Sequence, residues 1–241
     1  MKIDILTLFP EMFTGVFSSS ILGRAVEAGL LDIRIHDIRD YTENKHKKTD
    51  DYPFGGGAGL VMMAQPVFSC MEHVLSDNIP AKKILLTPRG KTLTNDMAKE
   101  LSKEERIVLL CGHYEGVDER VNTLLDDEIS IGDYVLTGGE LPAMILVDCV
   151  SRFIPGVLGS SGSTEEESFS DGLLEYPQYT RPSNYNGLQV PEVLLNGNHK
   201  EIREWRMEQA LQKTKQVRPD MYEKYISEHP PIEKKKKRNC K

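Results

Sequence analysis

The chain of 241 residues has no apolar run approaching the roughly 18 residues of a membrane span, so a helical crossing of the bilayer is not expected. Its four cysteines, Cys70, Cys111, Cys149 and Cys240, form no C-x-x-C pair, which argues against a disulfide framework and suits a reduced, cytoplasmic compartment. Six histidines show neither H-E-x-x-H nor a Cys/His cluster, so no metal site is expected. There is no G-x-x-x-x-G-K-[ST] cradle and no G-x-G-x-x-G fingerprint, which argues against a nucleotide phosphate held on a glycine loop. No internal repeat is visible. The opening MKIDILTLFP carries Asp4 and Pro10 within its apolar run and reads as a first strand, not as a signal peptide.

What is present is ordinary for a globular protein, with 39% hydrophobic and 28% charged residues. A net charge of -7 argues at first against a nucleic-acid partner, because phosphate binding normally leaves a basic footprint. The distribution reverses that impression. Residues 1–198 hold 17 Lys and Arg against 30 Asp and Glu, while residues 199–241 hold 13 against 7. The KKKKR run at Lys234–Arg238 reads as a solvated tail. Arg203, Arg206 and Lys213 lie in a helical region whose pattern runs over Asn198–Leu211, with Arg203 and Arg206 on one face, and are the candidate nucleic-acid contacts; Trp205 is expected in the core of the same helix.

Periodicity predicts strands over Lys2–Leu8 and Asp32–Ile38, with a helix over Ser20–Ala28 between them. A loop over residues 40–64 holds FGGGAG. Beyond it come a helix at Gln65–Leu75, a strand from Lys83 that stops before Pro88 and Gly90, and a helix near Thr94–Leu101. A strand at Ile107–Cys111, a helix at Asp118–Leu125, a strand from Glu128 and an apolar helix over Leu141–Phe153 follow, with Pro142 tolerated in the first turn of the last. This alternation implies a parallel sheet covered by helices on both faces. The three runs that break at glycine or proline, at Pro88, Gly112 and Gly132, should wall one pocket made largely of backbone. Residues 155–171, PGVLGSSGSTEEESFSD, are too poor in apolar groups to offset their ordering entropy and read as a linker. The expected division is residues 1–158, a linker over 159–171, and a small helical domain over 172–241 with a basic tail.

CGHYEGVDER at Cys111–Arg120, SIGDYVLTGGELPA at Ser130–Ala143, SRFIPGVLG, PQYTRP and LLNGNH resemble the bacterial tRNA (guanine-N1)-methyltransferases of the TrmD type. With TLFPEMF and DDYPFGGGAGLVM, the resemblance spans roughly residues 1–218. It implies a SPOUT-class enzyme using S-adenosylmethionine, aided by magnesium, with tRNA as partner and a symmetric homodimer as the working form. It also implies a trefoil knot over roughly residues 83–155, against the general rule that chains are unknotted. The matching donor-binding positions are Leu85, Leu86, Gly112, Tyr114, Glu115, the run Ile131, Gly132, Asp133, Tyr134, Val135 and Leu136, then Gly138, Gly139 and Pro142.

Methylation of guanine at N1 removes a proton from an acid several pKa units weaker than a carboxylic acid, at about 1.4 kcal/mol per unit. A cation that stabilises the negative charge developing on O6 lowers that cost. By resemblance Arg152 supplies the cation. The family's catalytic aspartate falls on Glu167, a departure by one methylene, with Asp171 as the second choice and Glu165 and Glu166 as solvated neighbours. Glu115 would offset the donor's positive charge, and Asp118 would be either a site residue or a plain helix cap. The implied reaction is methyl transfer to the guanosine at tRNA position 37, 3′ of the anticodon. Two alternatives stay open: a SPOUT-class RNA ribose 2′-O-methyltransferase, and a non-catalytic RNA-binding protein that keeps the donor pocket.

Overall fold

A computed structural model describes residues 1–159 and 167–230. The chain divides into two compact units, Met1–Ser161 and Gly162–Lys241.

The first unit is built on a five-stranded, wholly parallel sheet. Its strands are β1 (Lys2–Thr7), β2 (Asp32–Asp37), β5 (Lys82–Thr92), β6 (Arg106–Cys111) and β7 (Asp127–Ser130), in the order β2-β1-β6-β5-β7. Between β2 and β5 the expected loop holds a two-stranded antiparallel ribbon, β3 (Asp50–Asp51) and β4 (Val61–Met62). Successive side chains on a strand face opposite ways, so each central strand feeds two cores. Ile107, Leu109 and Cys111 of β6 join one cluster with Ile3, Ile5, Ile84 and Leu86; Val108 and Leu110 join the other with Leu6 and Leu85. Helices α2 (Ser20–Glu27), α4 (Asn95–Leu101) and α5 (Glu140–Ser151) cover the first cluster, and α3 (Ala64–Val74) covers the second. Strands buried on both faces read as continuous apolar runs, as RIVLLC does.

Two boundaries differ from expectation. Strand β5 does not stop at Pro88 but continues to Thr92, with its register against β7 shifted between Leu86 and Lys91. Gly90 permits this, since a Cβ there would lie 2.5 Å from the Glu128 carbonyl carbon. The segment expected as a helix over Asp118–Leu125 is a 3-10 helix at Glu119–Leu124, with Asp118 as its cap.

The second unit contains a short hairpin, β8 (Asn184–Tyr185) with β9 (Leu188–Gln189), and two helices, α6 (His199–Val217) and α7 (Pro219–Glu228). Helix α6 runs six residues beyond the expected Leu211, because no breaker intervenes before Pro219, which opens α7 at a position where proline is favoured. Among the described residues no helix is long and apolar enough to cross a membrane.

Candidate active site

Strands β5, β6 and β7 are neighbours, so the segments at their carboxyl ends converge on one crevice, as open α/β sheets generally arrange their ligand sites. The crevice is a cavity of about 360 Å³, within the usual range for a small organic ligand. Its walls are residues 85–89 of β5, residues 112–117 after β6, residues 129–131 and 134–139 at and after β7, and Pro142 of α5. Twelve of the expected donor-site residues therefore meet in one place: Leu85, Leu86, Gly112, Tyr114, Glu115, Ile131, Tyr134, Val135, Leu136, Gly138, Gly139 and Pro142. Gly132 and Asp133 are not on the wall. Gly132 acts one step back, in a left-handed turn (φ 151°) whose missing side chain leaves room for the Tyr134 ring. Pro88, expected as one of the turns that wall the pocket, does so, and Thr87, Arg89, His113 and Thr137 line the cavity without having been singled out, although they interleave with residues that were.

The walls are close backbone. The Gly139 amide donates to the Gly112 carbonyl at 2.7 Å, and His113 bridges to Gly138. A Cβ on Gly139 would lie 2.7 Å from Cys111 Cα, and one on Gly138 would overlap the Glu140 carboxylate and the His113 ring. Behind this wall lies a group the sequence reading missed. Glu140, the first residue of α5, is 2% exposed; its Oε1 accepts from the Thr7 hydroxyl at 2.8 Å and its Oε2 lies 3.9 Å from His113 Nδ1. That Nδ1 is itself buried and has no hydrogen-bond partner among the described residues. The His113 ring packs tilted against Phe9 and edge-on to Tyr114, each centroid 4.8 Å away. Burial, with Glu140 adding to it, pushes the thiol of Cys111, at the end of β6, far above its ordinary range, which disfavours a thiolate at that position.

A second layer of backbone ties the glycine loop to the pocket. The Glu115 amide donates to Leu60 O at 3.0 Å, Met62 N to Gly116 O at 2.9 Å, and Asp118 N to Met62 O at 2.9 Å. Gly59 (φ 84°) is required here, because any side chain would collide with the Glu115 carboxylate. Gly55, Gly56 and Gly57 also have positive φ but face open space. Asp118 caps the following 3-10 helix through Arg120 N at 3.0 Å and pairs with the Arg120 guanidinium at 2.7 Å, which holds its carboxyl below the usual range. Its structural role is thus the cap.

Arg152 is the half-buried C-cap of α5 in the first unit and does not line the cavity. Glu167 is half-buried in the second unit, its carbonyl accepting from the Ser170 hydroxyl at 2.6 Å, and Asp171 is exposed. Glu165, Glu166, most of the expected linker and the Lys234–Arg238 run lie outside the described residues. Arg203 and Arg206 do not share one surface. Arg203 is exposed in a groove with Met207 and Tyr222, whereas Arg206 is half-buried with its guanidinium 4.6 Å from the Tyr176 ring centre. Lys213 is exposed. Trp205 is not a core residue; it is half-buried on a cavity wall, its ring centre 6.4 Å from that of Tyr179. Among the described residues no group of three or more His, Cys, Asp and Glu is placed to hold a metal ion.

The fold and site define a parallel α/β protein whose ligand crevice is moulded from main chain at the carboxyl ends of adjacent strands. A family model described as tRNA (Guanine-1)-methyltransferase TrmD matches residues 1–224. The chain is 59% identical over 226 residues to the tRNA (guanine-N(1)-)-methyltransferase of Ruminiclostridium cellulolyticum, covering 93% of this chain and 97% of that protein. It is 60% identical over 225 residues to the protein of the same name from Alkaliphilus metalliredigens, covering 92% and 91%, and 56% identical over 227 residues to that of Clostridioides difficile, covering 93% and 98%. The chain belongs to the TrmD family of tRNA (guanine-1)-methyltransferases.

Proposed function

We propose that this protein transfers a methyl group from S-adenosylmethionine to N1 of a guanosine in tRNA, the one at position 37, 3′ of the anticodon. The observation that carries the reading is the pocket at the ends of β5, β6 and β7, in a chain that matches the family along nearly its whole length. Bound S-adenosylmethionine would supply an electrophilic methyl group on a cationic sulfur. The residues present fit it: the adenine would meet backbone amides and carbonyls of residues 131 and 134–139 between Leu85, Leu86 and Leu136, and Gly112, Gly138 and Gly139 would let those groups approach closely. Glu115 is on the wall, where its carboxylate would face the positive charge.

In this reading Arg152 stabilises the negative charge on guanine O6, and Glu167 accepts the N1 proton. Residues 1–158 hold the donor, residues 159–171 link, and residues 172–241 bind tRNA through Arg203, Arg206 and Lys213. A knotted path is supported by the return of residues 138–139 from β7 across β5 to the end of β6, where Gly139 bonds Gly112. A homodimer is supported by the apolar face of α5, where Leu141 and Ile145, one turn apart, are both nearly half exposed. Magnesium has no assigned ligands in this scheme.

The test is single-turnover transfer from labelled S-adenosylmethionine to a tRNA transcript with guanosine 3′ of the anticodon, beside one with adenosine there. Label on the first alone, recovered as 1-methylguanosine after nucleoside digestion, is the expected result. Label on ribose would favour the 2′-O-methyltransferase, and donor binding without transfer would favour a non-catalytic protein.

A further inference from the structure

The second unit carries a cavity of about 420 Å³ to which the reaction assigns no task. It lies between the strand-like segment 176–183 and helix α6, and its lining combines Tyr176, Tyr179, Trp205, Arg181 and Arg206 with no Asp or Glu. In a chain of net charge -7 that composition is selective, and the groove on another side of the same helix shows the contrast, since it includes Glu204 and Glu208. Arg206 is already committed to the Tyr176 face. Tyr179 is half exposed and Arg181 exposed, which leaves an aromatic face and a guanidinium on the cavity wall beside the half-buried Trp205. Aromatic faces accept bases by stacking whatever their sequence, and guanidinium groups pair with phosphate oxygens in two-pronged fashion.

We propose that this cavity is a nucleotide-binding subsite for the substrate RNA, taking one unstacked base against Tyr179 and Trp205 with its phosphate on Arg181. The proposal rests on RNA being the substrate, but it contains no residue assigned to donor binding or proton transfer. The subsite fixes the RNA; it does not react with it. Recognition of RNA commonly relies on splayed bases stacked on aromatic and arginine planes, which is the chemistry this wall presents.

Trp205 is the only tryptophan in the chain, so its emission reports on this cavity alone. The full-length protein is titrated with a short single-stranded oligoribonucleotide and with an abasic chain of the same length. Saturable quenching by the first and not by the second is expected. Arg181→Ala and Tyr179→Ala should each weaken the affinity for the oligonucleotide and for tRNA about tenfold, with unchanged affinity for S-adenosylmethionine. Equal quenching by the abasic chain would overturn the proposal. So would unchanged tRNA affinity in the exposed-site variant Arg181→Ala, whose folding is checked by circular dichroism. Methyl transfer is scored separately: a parent protein that methylates tRNA with Trp205 undisturbed removes the subsite alone, whereas base-dependent quenching without methyl transfer retains the subsite and removes the reaction.

Discussion

The Thr7 hydroxyl donates to the buried carboxylate of Glu140 at 2.8 Å, joining the end of the first strand to the start of a helix 133 residues later. An oxygen of the same carboxylate lies 3.9 Å from Nδ1 of His113 on the pocket wall. Glu140→Ala strands the hydroxyl and removes a negative charge from a helix N-terminus. It should cost about 2–3 kcal/mol of stability by urea unfolding, and Glu140→Gln about half of that. Equal losses from both would show that charge, and not the hydrogen bond, is what matters.

Gly139→Ala should abolish S-adenosylmethionine binding measured by calorimetry. Its new Cβ would meet the backbone of Cys111 and Gly112, which belongs to the central strand and cannot yield as a side-chain tip could. Gly55→Ala, by contrast, meets no neighbour, although its positive φ makes the substitution mildly strained. Its effect on donor affinity should be small.

Glu167→Gln should slow single-turnover methyl transfer by about 10²–10⁴-fold, the usual contribution of a general base. Donor affinity should not change. Glu167→Asp should retain transfer, because it shortens the side chain by one methylene without altering its acidity appreciably. Transfer by the Gln variant at the parent rate would move the role to Asp171.

At the opposite end of the sheet, Arg106 and Asp4, each 1% exposed, pair at 2.8 Å, and His36 completes the carboxylate's bonding at 2.8 Å. Burial alone would push the Asp4 carboxyl up, but hydrogen bonds from His36 and Arg106 outweigh it and hold it below the usual range. Asp77 is held below that range as well, first by Lys2, then by the Ile79 amide and by Arg106. Groups lowered on folding stabilise the protein above their unfolded values, near pH 4, and lose that contribution as pH falls through the folded ones. Arg106→Met should therefore cost about 3–5 kcal/mol at pH 7, with a smaller loss in acid, measured by urea unfolding across pH.

Cys70 is pushed up to about 12 by burial, with Asp37 adding to it, and Cys111 and Cys149 are raised for the same first reason. Alkylation at pH 8 followed by peptide mass spectrometry should leave these three thiols unmodified until the chain is unfolded. Rapid labelling of Cys111 in the native protein would mean that the core at the end of β6 opens.

The alternation of strands and helices was legible because the central strands are short apolar runs and some helices begin at a recognisable cap, as α4 does at Thr94, whose hydroxyl accepts from Met97 N, and α6 at Asn198. The pocket was legible for the same reason: its walls are the turns where those runs break. The end of β5 was not, since Pro88 and Gly90 look like a stop and only the β7 backbone beside Gly90 makes them a bulge. Nor was the Thr7–Glu140–His113 group, whose members meet through the fold and share no local spacing. Trp205 was misplaced because a helical period identifies the inward face of α6 but not the cavity on that face.

A binding site contoured by main chain has consequences for how it can change. An inhibitor shaped to this pocket would press chiefly on peptide groups of residues 112, 131 and 134–139, which no codon substitution can trim or recolour. The glycines that permit this approach, 138 and 139 above all, have no space to become anything larger. Escape by point mutation would be left mainly to the side chains at the rim, such as Tyr114, Tyr134 and Val135, where a compound need not make its contacts.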